Sequence, residues 1–311
     1  AVGAGLVVVA GDLKVAPTPT AWAAEVRQTL DVGGQTKDVD APAAKFEEYR
    51  DVPKNVLINR YTLEASAEKG RLDIDARDLL REDRRITLKS DYRRKVSVDI
   101  LWDQAPHRFA SGDISKTLYS QPSPGVFTLD TALKTKNQGL MDNFAKKYST
   151  QAYTDSLNAA LLNATPAELK FRNDTGRVGV KINPTDDVTV RVGAGQTART
   201  GTRSIGAALG FSGAIELPAP VDDVTRDASL GLEYATKKFQ AQAGYAWSQY
   251  DNNITSLIWD SPKRLTDQTY SGAYSNADGS ARGRMPVPGD SLTQRLNAVV
   301  GVSDLPWHGR V

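Results

Sequence analysis

The chain has 311 residues and a formal net charge of +2, which excludes a strong electrostatic attraction to nucleic acid or to an anionic membrane surface. It contains no cysteine, which excludes disulfides, thiolate metal sites, iron–sulfur clusters and covalent haem attachment through C-x-x-C-H. No run of about 18 apolar residues is present, so the sequence predicts no transmembrane helix. A transmembrane β-strand needs only about 9 to 11 residues, half of them apolar, and the composition fits such strands.

The N-terminal region predicts export. Gly5 to Ala10 form a short apolar run, and Ala21-Trp22-Ala23 has the small-x-small form of a cleavage site, so residues 1–23 are interpreted as a signal-peptide remnant. The alternative interpretation is an N-terminal tail. Residues 24–55 are polar without clear periodicity and are predicted to be a lead-in segment to a β domain over residues 56–311.

Residues 57–103 alternate apolar and polar side chains through four consecutive runs, which predicts four strands joined by short turns near residues 68–70, 81–83 and 91–93. Turns this short require antiparallel neighbours. The apolar side chains predicted to face lipid, including two from a later hairpin, are Leu63, Leu72, Ile74, Val96, Val98, Ile100, Leu230 and Leu232. The charged side chains predicted to face a lumen or a partner are Arg60, Glu64, Arg71, Asp73, Asp75, Arg77, Lys89, Lys95 and Asp99.

Two architectures could use such a sheet. A soluble sandwich would bury the apolar face, whereas a transmembrane barrel would turn it to lipid and the charged face to a wet or protein-filled lumen. Aromatic residues on the apolar faces, several near strand ends, are typical of the girdles at membrane interfaces. Together with short turns that alternate with long loops, they favour an antiparallel transmembrane β-barrel.

Long loops are predicted over residues 104–167, 200–222 and 261–290, because proline and glycine interrupt the alternation there. A short helical insert is predicted over residues 141–164. The remaining runs bring the total to about ten strands, which are expected to be part of a larger barrel. A sheet with two open edges is costly in lipid, because its unpaired backbone groups have no water to bond to.

No catalytic, cofactor or metal site is predicted. The two histidines, His107 and His308, have no nucleophile or ligand set near them in the sequence. Gly193 to Ala198 fit G-x-G-x-x-A formally, but the next residues do not open a helix, so small residues of a barrel strand are the better interpretation. The expected protein is not an enzyme.

Four segments, in order, resemble the MtrB/PioB family of outer-membrane β-barrels. The first is Lys45-Phe46-Glu47-Glu48-Tyr49-Arg50-Asp51-Val52-Pro53, and the second is Trp102-Asp103-Gln104-Ala105-Pro106-His107-Arg108-Phe109. The third is Asn173-Asp174-Thr175-Gly176-Arg177, and the fourth is Gly206-Ala207-Ala208-Leu209-Gly210-Phe211 followed by Glu216-Leu217-Pro218. Within the second segment, the resemblance marks Trp102, Asp103, Pro106 and His107 as family-motif residues.

The resemblance implies a bacterial outer-membrane protein that holds a periplasmic multihaem c-type cytochrome across the membrane. Electrons would pass between the periplasm and the cell exterior, in metal reduction or in Fe(II) oxidation, with an extracellular multihaem cytochrome as a further candidate partner. The haem would belong to the partner and no cofactor to this chain. Two alternatives remain open at the level of the sequence: a diffusion porin with an open lumen, and a soluble β-sandwich binding module.

Overall fold

The computed structural model describes residues 25–36, 47–54, 56–111, 114–142, 150–208, 214–267 and 280–303. The predicted signal-peptide remnant over residues 1–23 lies outside these residues. The described chain is mostly strand with two short helices, which confirms the all-β prediction. Neither of these helices is long and apolar enough to cross a bilayer.

The strands and helices follow the alternating pattern of the sequence. The strands, in chain order, are β1 (Glu25–Gly34), β2 (Val56–Ala67), β3 (Gly70–Arg77), β4 (Arg85–Tyr92), β5 (Val96–Ala110), β6 (Lys116–Thr117), β7 (Ser120–Ser123), β8 (Val126–Thr128), β9 (Thr165–Pro166), β10 (Leu169–Ile182), β11 (Val188–Ala208), β12 (Ala214–Ala235), β13 (Phe239–Asn252), β14 (Ser256–Asp260), β15 (Arg282–Pro286) and β16 (Ser291–Val302). The helices are α1 (Thr131–Asp142) and α2 (Thr150–Leu161).

Ten strands form one antiparallel sheet in the order β1-β2-β3-β4-β5-β10-β11-β12-β13-β16. This number agrees with the predicted count of about ten. The strands β1 and β16 are the edges of the sheet, and the described sheet is not closed. Tight turns over residues 68–69, 93–95, 183–187 and 236–238 lie at one end, called here the short-turn end. The longer connections lie at the opposite, long-loop end.

The longest connections fold into a second unit, called here the cap, which comprises the described residues of 114–168 and 253–290. It contains a four-stranded sheet, β15-β14-β8-β7, a two-stranded sheet, β6-β9, and both helices. Its apolar core includes Phe127, Leu257 and Trp259, each less than 5% exposed. The core is completed by Leu217 and Ala219 of β12, so the cap packs directly on a strand of the large sheet.

Several predicted boundaries differ from the structure. The predicted lead-in over residues 24–55 contains β1, whose alternation is masked by Gln28 between Val26 and Leu30. The predicted helical insert over residues 141–164 is instead α1 and α2, with residues 143–149 outside the described chain. The predicted loop over residues 104–167 begins later, because β5 continues to Ala110. The predicted loop over residues 261–290 contains β15.

The predicted loop over residues 200–222 is largely a continuation of the β11–β12 hairpin. The two strands pair through 21 consecutive positions, from Val188 opposite Tyr234 to Ala208 opposite Ala214. Pro218 and Pro220 suggested a loop. In the structure both lie in β12, in the part of the strand that β13 does not reach, because β13 pairs with β12 only as far as Asp223. The segment before Asp223 is therefore an edge strand, where proline removes no ladder hydrogen bond.

Candidate partner-binding face

The register places the predicted lipid-facing side chains on one face of the large sheet, because residues directly opposite each other in antiparallel strands share a face. Leu63 lies opposite Ile74, Ile74 opposite Leu88, and Leu88 opposite Ile100. Leu230 is paired with Val192 on the same face and is 51% exposed. This apolar face runs across the sheet without interruption.

Aromatic rings border the apolar face at both ends, as in the girdles of membrane barrels. Those near the short-turn end are Tyr92, Tyr234 and Phe239, and those toward the long loops are Tyr61, Trp102 and Trp247. The Trp102 ring covers the backbone of Gly176, and a Cβ at that position would lie 3.4 Å from the ring. Between the girdles the face is mostly aliphatic, with Tyr245 opposite Leu230 on β13.

The opposite, polar face carries eight of the nine charged side chains predicted to face a lumen or a partner, and Lys95 lies in the turn before β5. On β2 and β3 these charges neutralise one another. The Asp75 carboxylate forms salt bridges with Arg60, at 2.9 Å, and with Arg77, at 2.7 Å. Arg71 forms a salt bridge with Asp73 at 2.8 Å. This part of the face is self-paired. The role of the eight side chains stays a prediction.

A groove of about 770 Å³ lies further across the sheet, lined by residues of seven strands from β4 to β16. Strands six places apart can contribute to one groove only when the sheet curves around that side. Besides Arg85, which pairs with Asp103 at 3.5 Å, the charged residues at its wall are Lys89, Asp99, Arg177, Asp227 and Arg295. Among the described residues, none of these five has an ion-pair partner within 4.0 Å.

Small side chains separate Asp99, which lies directly opposite Lys89, from Arg295 on β16. Gly179 lies opposite Gly193, Gly193 opposite Ser229, and Ser229 opposite Ala246. Each pair is on the polar face, level with Asp99 on β5. A surface of this kind leaves the backbone accessible and presents charges of both signs, which suits a mixed-charge protein surface.

The cap lies on the same side of the sheet as the groove. Leu217 is fully buried under the cap. It lies an even number of residues from Asp227 on β12, and its partner on β11 lies an even number of residues from Arg191; the pairing of these strands has no register shift. Side chains at such positions point to one face. The cap therefore covers the polar side of the sheet at the long-loop end.

A buried carboxylate holds the cap together. Asp260, 2% exposed, accepts hydrogen bonds from Lys134 at 2.5 Å, from the Leu129 amide at 3.1 Å and from Arg282 at 2.9 Å. Burial by itself would raise the pKa of Asp260, but these hydrogen bonds outweigh it and hold the pKa below its ordinary value. Nearby, burial raises the pKa of Tyr119, whose hydroxyl donates to the Asp260 carbonyl.

The family-motif residues divide between the faces and do not form one site. Trp102 is in the girdle of the apolar face, and Asp103, on the polar face, pairs with Arg85 at 3.5 Å. His107 lies beyond the girdle, stacked on Tyr49 with ring centroids 4.4 Å apart and 3.2 Å from a Glu48 carboxylate oxygen. Pro106 precedes it on the opposite face. These contacts anchor the connection after β1 to β5.

Sequence reasoning missed the part of the groove beyond β5. Arg177, Asp227 and Arg295 lie on strands recognised in the sequence, but only the register brings them together. Alternation in the sequence placed Arg177 on the polar face but did not single out Asp227 or Arg295. The signal that could have singled them out is the run of small residues between charges on β10 to β13.

Comparisons with known proteins give one family. Residues 37–281 match the family described as outer membrane beta-barrel porin, MtrB/PioB. No curated protein matches the sequence.

Several solved structures are similar to the chain, and OmpT of Vibrio cholerae is described as an outer-membrane protein. They include the toluene transporter TbuX of Ralstonia pickettii, at 12% identity and a TM-score of 0.24, where the match covers 89% of this chain and spans 60% of the length of TbuX. OmpT of Vibrio cholerae has 9% identity and a TM-score of 0.22, covering 88% of this chain and 75% of OmpT. The haemophore receptor HasR of Serratia marcescens has 9% identity and a TM-score of 0.24, covering 90% of this chain and 40% of HasR.

Proposed function

Because the chain belongs to the MtrB/PioB family of outer-membrane β-barrel porins, we propose that it is a sheath that holds a periplasmic multihaem c-type cytochrome across the outer membrane. The observation that carries this proposal is the groove on the polar face, where five charged side chains of both signs have no ion-pair partner among the described residues. The sheath would serve extracellular electron transfer, in metal reduction or Fe(II) oxidation.

Membership in this family places the protein in the bacterial outer membrane and removes the soluble β-sandwich alternative. The apolar face between the aromatic girdles then faces lipid, and the curved polar face lines the lumen. Outer-membrane barrels have short periplasmic turns and longer extracellular loops. By that rule the short-turn end is periplasmic, and the cap lies on the cell surface.

The lumen surface divides into two zones that suit different neighbours. Exposed ion pairs such as Arg60–Asp75 contribute about 0–1 kcal/mol and can face water. The unpaired charges Arg177, Asp227 and Arg295 would gain a counter-charge from a protein inside the barrel. Since small residues such as Gly179, Gly193 and Ser229 line the middle of the groove, the partner's backbone and cofactor edges could approach the barrel wall closely there.

The redox chemistry would belong to the partner, because haem carries its own electron-transfer chemistry and this chain would supply positioning and insulation. An extracellular multihaem cytochrome is a second candidate partner, which would meet the cap from outside. We propose no catalytic role and no cofactor for the chain itself.

Co-purification tests the proposal. The intact protein would be expressed with its candidate multihaem cytochrome, extracted from outer membranes in mild detergent, captured through the barrel and stained for haem. We expect a stoichiometric haem-positive band. The charge-reversal variant R177E/R295E should reduce that band about tenfold or more, since close charge pairs at interfaces contribute about 1.5 kcal/mol or more each.

The matched control is R60E/R77E, which reverses two arginines in the self-paired zone of the same face. We expect this variant to retain most of the haem band. A barrel that purifies without haem and conducts ions in a planar bilayer would contradict the sheath. It would instead support the porin alternative, which the self-paired, water-tolerant zone on β2 and β3 favours.

A further inference from the structure

The short-turn end carries a compact group of cations. Lys69, on the β2–β3 turn, and Arg93, Arg94 and Lys95, on the β4–β5 turn, are all exposed and are called here the basic tip. The two turns are joined by a hydrogen bond from the Arg93 amide to the Lys69 carbonyl, at 2.7 Å. Glu68 is the one acid in these turns, so they carry a net charge of +3.

The two arginines of the basic tip occupy a backbone conformation that suits other residues. Arg93 and Arg94 have φ angles of 54° and 56°, in the left-handed region, and the Lys95 amide closes the turn on the Tyr92 carbonyl at 2.9 Å. A β-turn whose two central residues both have positive φ favours Asn-Gly at those positions. Residues with a Cβ lose about 1–2 kcal/mol each in this conformation. Arg93 and Arg94 therefore occupy turn positions where asparagine and glycine would give a more stable backbone.

None of the four cations of the basic tip makes an ion pair within 4.0 Å among the described residues. Asp91, which is adjacent, accepts bonds from the Arg94 amide and the Ser97 hydroxyl. The long-loop end differs. There, cations of β5 and β10 are matched with acids, as in Arg108–Glu47 at 2.5 Å and Arg172–Asp174 at 2.7 Å.

The position of Tyr92 indicates which surroundings the basic tip meets. Tyr92 lies opposite Val96 at the end of the apolar face, and the Arg93 guanidinium lies 5.3 Å from the centre of its ring. A tyrosine at this level marks the membrane–water interface. The guanidinium is thus directed to the outer, lipid side of the sheet at the depth of lipid headgroups, and away from the lumen.

From this geometry we propose that the basic tip binds the phosphate groups of anionic phospholipids in the leaflet next to the short turns. Cations near an anionic membrane surface each contribute roughly a fivefold gain in affinity. Four such cations on two linked turns would fix the depth of β2 to β5 in the bilayer and recruit anionic lipid to this part of the barrel wall. The proposal uses the membrane orientation of the sheet and is independent of any cytochrome.

Lipid retention tests the proposal. The intact protein would be reconstituted in mixed phosphatidylcholine and phosphatidylglycerol, re-extracted in mild detergent, and its bound lipids counted by native mass spectrometry. We expect selective retention of phosphatidylglycerol by the parent protein. The variant K69Q/R93Q/R94Q/K95Q should retain at least about tenfold less phosphatidylglycerol than the parent.

Two further variants separate charge from turn geometry. R50Q/K54Q/K116Q/K136Q removes four exposed cations at the long-loop end and should retain phosphatidylglycerol like the parent. R93N/R94G relieves the left-handed turn and removes two charges, and it should lose phosphatidylglycerol although its turn is more favourable.

Equal phosphatidylglycerol retention in the parent and the K69Q/R93Q/R94Q/K95Q variant would overturn the proposal. So would an equal loss in the long-loop control. If the tip variant kept its lipids but captured less of a multihaem cytochrome, the basic tip would be a protein-docking surface, and the lipid proposal would be wrong. Failure of haem co-purification in all variants would bear on the sheath function and leave the lipid result intact.

Discussion

Asp260 shows how one buried carboxylate can join distant segments of a membrane protein's surface unit. Its carboxylate oxygens accept hydrogen bonds from Lys134 of α1, from the Leu129 amide and from Arg282 of β15. A charge removed from water is stabilising only when such partners surround it. The arrangement therefore makes the cap's integrity depend on a single ionised side chain.

We predict that Asp260→Asn destabilises the cap by about 3–5 kcal/mol, because Lys134 would be left buried without an anion. Limited proteolysis of intact outer membranes would measure it, as faster cleavage within the cap. Asp155→Asn, an exposed change on α2, is the control and should leave the cleavage rate unchanged.

The depressed pKa of Asp260 also gives a pH dependence. Its stabilising contribution is complete above the ordinary aspartate pKa of about 4 and is lost as the pH falls through the lower folded-state value. The parent cap should therefore become sensitive to an acid-stable protease such as pepsin below about pH 4. The Asp260→Asn variant should show a flatter profile, and a profile identical to the parent's would contradict the role assigned to Asp260.

At the scale of single elements, the β11–β12 hairpin unites three environments on one pair of strands. Near its tight turn, Leu230 is on the apolar face and Ser229 on the groove side. Toward its other end, Leu217 is buried in the cap core. The alternation of a paired strand keeps these roles in register over the whole length.

Adjacent residues of β12 test the assignment of faces. Leu230→Arg should destabilise the protein folded in vesicles by about 2–4 kcal/mol, because it places a charge in lipid. Ser229→Arg, one residue away, should fold with nearly the parental yield, because it adds a charge to the polar face. Heat-modifiable migration on gels would report folding, and equal losses in both variants would contradict the two-faced sheet.

The hairpin's contact with the cap has its own test. Leu217→Ala should cost about 2–5 kcal/mol of cap stability, since the removed atoms leave a cavity among Phe127, Leu257 and Trp259. Leu162→Ala, at a position that is 86% exposed, is the matched control. Protease sensitivity confined to the cap, with an unchanged barrel band, is the expected result. Loss of the barrel band in Leu217→Ala would show that the cap is not a separate unit.

At the scale of the whole molecule, the cap and the groove share one side of a curved sheet. The cap therefore covers part of the opening at the long-loop end, as folded-in loops do in other large barrels. A barrel whose opening at the long-loop end is covered should pass ions poorly unless the cover is removed.

We predict that the intact protein alone has low conductance in a planar bilayer, and that limited proteolysis of the cap raises that conductance severalfold. The physical reason is the removal of protein from above the lumen while the strands stay paired. The Leu217→Ala variant should show the increase at lower protease concentration. An unchanged conductance after complete cleavage would contradict the covering role of the cap.

Much of this architecture is predictable from the sequence because alternation is a local property. The two faces of β2 to β5, the tight turns and the family segments can all be recognised without coordinates, and the count of about ten strands is confirmed. Where alternation weakens, prediction fails. Gln28 hid β1, and Pro218 and Pro220 made an edge strand resemble a loop.

The sequence by itself predicted a two-faced antiparallel sheet, with apolar and charged side chains on opposite faces, because period-two patterning depends only on neighbouring residues. Its four motif segments, and not the patterning, indicated the MtrB/PioB family. Tertiary structure alone decided which charges remain without partners. Arg60 and Asp75 pair across adjacent strands, whereas Arg177 and Arg295, separated by more than a hundred residues, line one groove. It also decided that distant loops form a cap on the groove side, because strand register and sheet curvature are long-range properties.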